Sequence, residues 1–509
     1  MIINLIEYLE ETVKKDPYKI AVIEGERRTD ILTLTKQAKQ LSGAISSLAG
    51  GINNPVAVFL HKSTECVIAD LAITYSGNIY MNLDVKNPES RILNILEKIE
   101  PVVIITNGFY IEKLRSFCPA GIKILNIGEA GTEAEVHNPL PQLRELIDTD
   151  PYCIINTSGS TGTPKGVVLN HKSFVDFIEW SVETLSIPEH ELIGSLSPIY
   201  FDIFSFELCL LMARSATIVI IPEQLATFPA KLAGLLADEK ISFIFWVPTI
   251  MVNMANLDIL SSFELPAMKR IWFAGEVFPT KHLNYWRRKI PGAVFTNLYG
   301  PIEITLDCTY YTVEKEFPDD MPVPIGYPCR NTDVLILNEE NMPAGVNEKG
   351  ELCVRGTSLA LGYYNDPEKT AGAFVQNPLN KSYPELIYRT GDVVYKNEEG
   401  VIFFTGRKDF QVKHLGYRID LSELEHVILN KWGKVKNGCV IYNNNKKEIS
   451  LLYEGREEIS PAVFRKELAA YFPKYMVPTQ FRLFEELPRN PNGKIDRNAL
   501  NKLVQESAG

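Results

Sequence analysis

The chain has 509 residues, too many for a single hydrophobic core, which predicts two or more domains. With 45% hydrophobic and 23% charged residues and no apolar run of 18, the composition indicates a folded protein without a membrane span. The net charge of -11 argues against nucleic acid as the main partner. Eight cysteines without a CxxC pair argue against a structural zinc and favour the reducing cytoplasm, and the acidic N-terminus is unlike a signal peptide.

The charge is distributed unevenly along the chain. Residues 407–509 carry 18 Lys and Arg against 13 Asp and Glu, a net of +5, so the preceding part is strongly acidic. A basic C-terminal part favours an acidic partner or an anionic substrate. An ordinary solvated surface would give the same count, and charge alone leaves both interpretations open.

The first 150 residues alternate helical patterns with short apolar runs. We predict strands at 54–60 and 102–106 and a helix at 66–75, and we interpret 77–91 as a turn-rich bridge. Such alternation predicts an α/β fold with mostly parallel sheets packed with helices. Strand–loop units are predicted at 241–248 and 270–279, β-rich hairpins from Gly350, and a small α+β unit at the end.

A glycine- and hydroxyl-rich loop at 157–166 lies between two predicted strands at 152–155 and 167–169. Its glycines can bring backbone N–H groups close to a guest, and its hydroxyls and one lysine add donors suited to phosphate oxygens. The Pro-Lys-Gly ending differs from a Walker A loop, in which Gly-Lys-Ser/Thr opens a helix. The alternative interpretation is a flexible surface linker.

Three acidic residues and one lysine stand in unusual surroundings. Asp202, among aromatic residues, is either a partner for a substrate ammonium or a helix N-cap, because an unpaired buried carboxylate is costly. Glu303 follows a glycine–proline turn and is either a magnesium ligand or a surface charge. Asp392 is either a ribose-binding carboxylate or a turn residue. Lys494, on an Asn-Pro/Asn-Gly turn, taken alone would be a solvated charge.

Seven stretches resemble, in order, those of adenylate-forming enzymes, and among them the adenylation domains of nonribosomal peptide synthetases. They are the loop from Thr157, FDIFSFE, NLYGPIE, GELCVRG, YRTGD, GRKDFQVKHLGYRIDLSELE and NPNGK. The resemblance extends over almost the whole chain. It implies a core domain at 1–406, with parallel-type sheets and a β-rich subdomain, and a small mobile α+β lid domain at 407–509.

The resemblance also implies cofactors and site residues. ATP would be bound by Thr157, Ser158, Gly159, Ser160, Thr161, Gly162, Lys165, Tyr299, Asp392 and Arg407. Glu303 would bind Mg²⁺, and Lys494 would bridge the substrate carboxylate and the α-phosphate. Asp409 would be the hinge, and Lys413 with Gly416 would face the site when a phosphopantetheine thiol captures the acyl group. One departure is Ile302, where the family usually has threonine.

The substrate implied is a small amino acid whose amine pairs with Asp202. The pocket walls would be Ile203, Phe206, Phe245, Trp272, Ala274, Leu298, Leu306 and Asp307. Three large aromatic residues predict a shallow pocket that suits alanine or proline rather than tryptophan or leucine. Asp307 either favours a hydroxyl or a second amine or points away.

Several alternatives remain open. Chain length and the segment 275–279 resemble the D-alanine–carrier protein ligases of cell-wall modification, although these usually have cysteine where Ala274 stands. A β-amino acid activator, an acyl- or aryl-CoA ligase and a catalytically silent relative are further possibilities. No Gly-Gly-x-Ser carrier motif and no His-His condensation motif occur. We therefore expect a free-standing natural-product enzyme that loads a separate, acidic carrier protein, without nucleic acid or membrane partners.

Overall fold

The computed structural model describes residues 2–129, 139–157, 164–408, 411–435, 437–455, 457–488 and 495–506. Contacts divide the chain into two compact units. The first comprises Met1–Val85, Ile99–Ile155 and Gly166–Lys408; the second comprises Lys86–Lys98, Asn156–Lys165 and Asp409–Gly509. The division after Lys408 lies near the boundary predicted after residue 406, whereas the grouping of the two short segments with the C-terminal residues was not predicted.

The described residues form alternating strands and helices. The strands are β1 (Ile20–Glu24), β2 (Arg27–Asp30), β3 (Pro55–Val58), β4 (Ile79–Asn82), β5 (Val103–Thr106), β6 (Lys123–Asn126), β7 (Pro151–Thr157), β8 (Lys165–Asn170), β9 (Leu192–Ser195), β10 (Thr217–Ile220), β11 (Phe243–Trp246), β12 (Arg270–Phe273), β13 (Val294–Tyr299), β14 (Thr309–Thr312), β15 (Tyr327–Pro328), β16 (Thr332–Leu337), β17 (Gly350–Gly356), β18 (Gly362–Tyr363), β19 (Phe374–Gln376), β20 (Leu386–Lys396), β21 (Ile402–Arg407), β22 (Gln411–His414), β23 (Tyr417–Asp420), β24 (Asn437–Asn443), β25 (Glu448–Glu454) and β26 (Gln480–Phe484). The helices are α1 (Ile6–Lys15), α2 (Ile31–Ala49), α3 (Thr64–Tyr75), α4 (Glu89–Ile99), α5 (Ile111–Phe117), α6 (Leu140–Leu143), α7 (His171–Thr184), α8 (Asp202–Arg214), α9 (Pro229–Asp238), α10 (Pro248–Asn256), α11 (Thr280–Lys289), α12 (Pro367–Ala373), α13 (Leu421–His426), α14 (Pro461–Leu468) and α15 (Arg497–Glu506).

Three sheets organise the first unit as far as it is described. The largest has nine strands in the order β15-β14-β13-β12-β11-β9-β10-β1-β2, parallel from β13 to β1 and antiparallel at its edges. The second has seven strands, β18-β8-β7-β4-β3-β5-β6, and is mainly parallel. The third is antiparallel and contains β16, β17, β20, β19 and β21. This architecture confirms the predicted α/β class with a β-rich part.

Two helices of the first unit are buried on nearly all sides. Apart from Glu65, every residue of α3 is buried, as is every residue of α8 from Ile203 to Met212. A helix that is apolar all round belongs inside a core rather than on its surface. Helix α8 packs against α1 and α7, and α3 against α2. Among the helices in the described ranges, none is long and apolar enough to cross a membrane.

The interpretation of 77–91 as a turn-rich bridge is wrong in its first part. Residues Ile79–Asn82 form β4, which lies between β7 and β3 with all four residues buried. The strand is only four residues long and follows a turn at Gly77 (φ +70°), so turn signals masked its short apolar run. The helix predicted at 66–75 begins two residues earlier, where the Ser63 side chain caps it by accepting from the Cys66 N–H.

The second unit is described by itself. Strands β24 and β25 are antiparallel, β26 is parallel to β25, and β22 and β23 form a hairpin. Helices α13 and α14 contribute Leu424, Phe464 and Leu468 to its core. Within this unit, Arg91 Nη1 lies 2.7 Å from Glu423 Oε1, and both side chains are almost fully buried. The unit has the α+β character predicted for the end of the chain.

One buried histidine gives the first unit a pH-dependent stability. His171, the first residue of α7, is 2% exposed, and its Nδ1 accepts from the Leu5 N–H at 3.3 Å. Burial lowers the pKa of His171 to about 3. Between pH 6.5 and 3 the unfolded chain therefore binds a proton that the folded chain does not, and stability falls as the pH falls through this window.

We expect the free energy of unfolding to lose about 2 kcal/mol through His171 between pH 7.5 and pH 5. Urea denaturation of the wild type and of His171→Gln at both pH values measures this, because glutamine can accept the Leu5 N–H without titrating. His61→Gln, at an exposed histidine, is the control and should keep the wild-type pH dependence. Equal pH dependence of the wild type and His171→Gln would contradict the assignment.

Candidate active site

Three side chains of the first unit meet where β13 ends and where β20 pairs with β21. The Tyr299 hydroxyl donates to Asp392 Oδ2, and Arg407 Nη1 donates to Asp392 Oδ1 at 2.5 Å. Arg407 Nη2 also donates to the Thr390 carbonyl at 3.0 Å, and Asp392 and Arg407 are directly paired across the two strands. Burial and the Asp392 carboxylate together raise the pKa of Tyr299 above its usual value.

This arrangement leaves Asp392 able to accept further bonds. The carboxylate is 3% exposed, and each of its oxygens accepts one hydrogen bond. A carboxylate has about four lone-pair positions, so roughly two remain for a ligand. Two vicinal hydroxyls, such as those of a ribose, would match that remaining capacity.

Glu303 lies in a 3-10 turn, Ile302–Ile304, and is fully buried at 0% exposure. The Tyr363 hydroxyl donates to its Oε1 at 2.9 Å, and the Glu303 carbonyl accepts from the Ala360 N–H at 2.9 Å. A buried carboxylate is costly unless it has partners, and a divalent cation is a suitable one. Among the described residues there is no cluster of three or more potential metal ligands of the His, Cys, Asp and Glu types.

The backbone around Glu303 is tightly folded. A Cβ on Gly300 would lie 2.2 Å from the Leu306 carbonyl oxygen, so only glycine fits this close approach. Thr305 (φ 55°) and Leu306 (φ 64°) are both left-handed although neither is glycine. Such residues cost of order 1–3 kcal/mol each and persist where the surroundings hold them, often at functional sites.

Asp202 is the first residue of α8. The N-cap residue is Phe201, which makes no side-chain capping bond, so the interpretation of Asp202 as the N-cap is wrong. Its Oδ1 accepts from the adjacent Ile203 N–H at 3.0 Å, and a carboxylate in the first turn is favoured by the helix dipole. Phe206 follows Asp202 by four positions, so both lie on one helix face about 6 Å apart along the axis.

Phe206, on the same face of α8, belongs to a cluster of three aromatic residues, which we call the aromatic floor. Phe206 stacks on Trp272 with ring centroids 5.6 Å apart, and Phe245 meets both rings edge-on. Phe245 and Trp272 are neighbours on β11 and β12. All three side chains are almost fully buried. The other proposed wall residues are also buried: Ile203, Ala274, Leu298, Leu306 and Asp307.

Several predicted site residues lie elsewhere or outside the described residues. Ser158, Gly159, Ser160, Thr161, Gly162, Asp409 and Lys494 fall outside them. Thr157 ends β7, Lys165 begins β8, and Lys413 lies on β22 opposite Arg418, all within the second unit. In the described part of the chain, Thr157 Oγ1 and Asn156 Nδ2 are buried without a hydrogen-bond partner, which is uncommon unless a ligand completes them.

Two residues in or near the candidate site were not found from the sequence. Tyr363, which donates to Glu303, is 60 residues away in sequence, and no local pattern marks it. Lys62 lies in an ordinary His-Lys-Ser segment, but it is buried close to the start of α8. Both act through contacts between distant parts of the chain.

Comparison with known proteins defines the class to which this fold and site belong. The model of the AMP-binding enzyme family matches residues 9–364, and the chain belongs to that family. Gramicidin S synthase 2 of Brevibacillus brevis is 33% identical over 498 residues, 97% of this chain; the chain spans only 11% of that relative.

Two solved structures share the fold. The Vibrio cholerae adenylation domain AlmE in complex with glycyl-adenosine-5'-phosphate has a TM-score of 0.85 at 20% identity, over 99% of this chain and 98% of that one. Holo-PA1221, an NRPS protein containing adenylation and PCP domains, has a TM-score of 0.83 at 22% identity, over 98% and 84%. The predicted resemblance to adenylation domains of the peptide synthetase type is confirmed.

Proposed function

We propose that the enzyme activates a small amino acid as its aminoacyl adenylate and passes it to the phosphopantetheine thiol of a separate carrier protein. The observation that carries the proposal is the position of Asp202 at the start of α8, one turn above the floor of Phe206 and Trp272. The carboxylate suits a substrate ammonium, and the aromatic floor leaves room only for a compact side chain. The glycyl adenylate bound by the similar domain AlmE is consistent with this size.

The nucleotide would be bound at the C-terminal end of β13. Asp392 would accept the ribose hydroxyls, held in orientation by Arg407, and the Tyr299 ring would stack on the adenine. Glu303 fits Mg²⁺, because a buried carboxylate with one oxygen held by Tyr363 is the kind of ligand that Mg²⁺ shares with phosphate oxygens. Bound Mg²⁺ would neutralise the negative charge of the phosphates.

In the first step a substrate carboxylate oxygen attacks the α-phosphorus of ATP. A bond forms between these atoms, and the bond to pyrophosphate breaks. The nucleophile is already ionised, so no general base is needed, and catalysis depends on alignment and on positive charge near the phosphates. Among the protein's own residues, we assign that positive charge to Lys494, and we assign phosphate binding to the loop at 157–166.

In the second step the carrier thiol attacks the acyl carbonyl, a thioester forms and AMP leaves. We propose that the residues after Lys408 are the mobile lid, since Arg407 and Lys408 belong to the first unit, that Asp409 is its hinge, and that Lys413 and Gly416 serve the transfer step. The net charge of +5 on residues 407–509 favours an acidic carrier protein. The combination of adenylation and PCP domains in PA1221 supports the same partner class.

The proposal is tested by ATP- and Mg²⁺-dependent pyrophosphate release against L- and D-amino acids, β-amino acids, aryl acids and short fatty acids. We expect one small amino acid to exceed its des-amino counterpart by roughly 10⁴-fold in kcat/KM. A preference for D-alanine would favour the alternative of a D-alanine–carrier protein ligase. A preference for a β-amino acid would favour the alternative of a β-amino acid activator. Preferred turnover of an aryl or fatty acid would contradict the proposal.

A further inference from the structure

Lys62 is a buried lysine beside the start of α8. It lies between β3 and α3 and is only 8% exposed. Among the described residues its ammonium donates to two backbone carbonyls, Ser195 at 2.9 Å and Ser197 at 2.6 Å, and to no carboxylate. It also lies 5.3 Å from the centre of the Phe204 ring, in the first turn of α8.

Burial of this ammonium is costly, and packing alone does not require it. Burial lowers the pKa of Lys62 to about 8, although the nearby Glu207 and Glu223 carboxylates favour the charged form. An apolar side chain of similar length would fill the same space at less cost. The two hydrogen bonds to carbonyls, which are stronger when the donor is charged, are what the lysine adds.

The bonded carbonyls belong to the segment that leads into Asp202. Ser195 is the last residue of β9, and the chain then runs from Leu196 to Phe201 without a regular element. Asn82 Nδ2 holds a further carbonyl of this segment, that of Ile199, at 3.1 Å. The Ser195 hydroxyl donates to Glu207, which lies farther along α8. Lys62 thus joins the end of β9, the connecting segment and the first turn of α8.

Resting on the proposed function, we infer that Lys62 is a positioning residue for substrate selection, because it fixes the segment 195–201 and thereby the place of Asp202. Its two hydrogen bonds are to the protein backbone. An ammonium–carboxylate pair depends on distance and direction, and a displacement of about 1 Å can cost as much as 100-fold in rate. Loss of Lys62 should therefore reduce recognition of the amine more than binding of ATP.

The test uses Lys62→Met in the full chain, with Lys19→Met as the matched control. Lys19 is also partly buried, and its ammonium donates to Thr217 Oγ1 at 2.7 Å, beyond the opposite end of α8. For Lys62→Met we expect the KM for the preferred amino acid to rise roughly 10- to 100-fold, with the KM for ATP unchanged within about twofold. The ratio of kcat/KM between the amino acid and its des-amino counterpart should fall by a similar factor. Lys19→Met should lower the Tm without changing that ratio.

A lowered Tm with an unchanged selectivity ratio in Lys62→Met would overturn the inference, as would an equal rise in the KM for ATP. If Lys62→Met does not fold, Lys62→Gln replaces it; its amide can still donate to one carbonyl, so part of the selectivity should be retained. Wild-type enzyme without amino acid selectivity would refute the proposed function instead. In that case hydrogen exchange still decides the structural step: peptides spanning 195–206 should exchange faster in the Lys62 variant and not in Lys19→Met.

Discussion

Replacement of Asp202 by asparagine is expected to lower kcat/KM for the preferred amino acid by roughly 10³-fold or more. A site built to bind a charged group discriminates against analogues that lack it, because the complementary group of the site, here the half-buried Asp202, then loses that partner. Asparagine keeps the size of the side chain and an oxygen acceptor but removes the charge that, in the proposed function, would pair with the ammonium. The des-amino acid should be turned over no more slowly than by the wild type, since it has no ammonium that the charge could attract.

Pyrophosphate release with the amino acid and its des-amino counterpart measures both rates. Asp307→Asn is the matched control, because Asp307 is the other carboxylate among the proposed pocket residues; it is buried, whereas Asp202 is half-buried. If Asp307 points away from the substrate, the Asp307→Asn variant keeps the wild-type selectivity. A loss of selectivity for amino acids with one class of side chain would show that Asp307 contacts the substrate side chain. An equal loss of activity with both substrates in Asp202→Asn would mean that Asp202 only stabilises the start of α8.

Replacement of Glu303 by glutamine is expected to lower kcat by roughly 10²- to 10³-fold at saturating ATP. Glutamine can still accept the Tyr363 hydrogen bond, so the fold around the turn at Ile302–Ile304 should persist. What is lost is the negative charge that, in the proposed function, would hold Mg²⁺ near the phosphates. The Mg²⁺ concentration for half-maximal activity should rise, while the affinity for the amino acid should change little.

Tyr363→Phe separates the orientation of the carboxylate from its charge. It removes only the hydroxyl that donates to Glu303 Oε1, and partners of this kind contribute 10- to 100-fold to metal affinity or activity. We expect about a tenfold loss, partly restored by additional Mg²⁺. Titration of Mg²⁺ in the pyrophosphate assay measures the Mg²⁺ dependence of both variants. An unchanged Mg²⁺ dependence in Glu303→Gln would show that Glu303 does not bind the metal.

The local patterns of this sequence predict the class of the fold and the residue types of the candidate site. Alternating apolar runs and helical patterns predict parallel α/β layers, because each pattern reports which face of an element is buried. The strands at 55–58 and 103–106 and the helix at 64–75 lie within a few residues of their predicted positions. Tyr299, Asp392 and Arg407, implied by short motifs far apart in sequence, meet in one hydrogen-bonded group.

The tertiary structure alone decided which of these groups support one another. The Tyr363 bond to Glu303, the Tyr299 bond to Asp392 and the bonds from Lys62 to the end of β9 join residues 60, 93 and more than 130 positions apart. Periodicity and motif spacing act over a few turns of chain and contain no information on such contacts. The short strand β4 and the left-handed Thr305 and Leu306 likewise depend on their neighbours, because sheet pairing and close packing stabilise conformations that the local sequence does not favour.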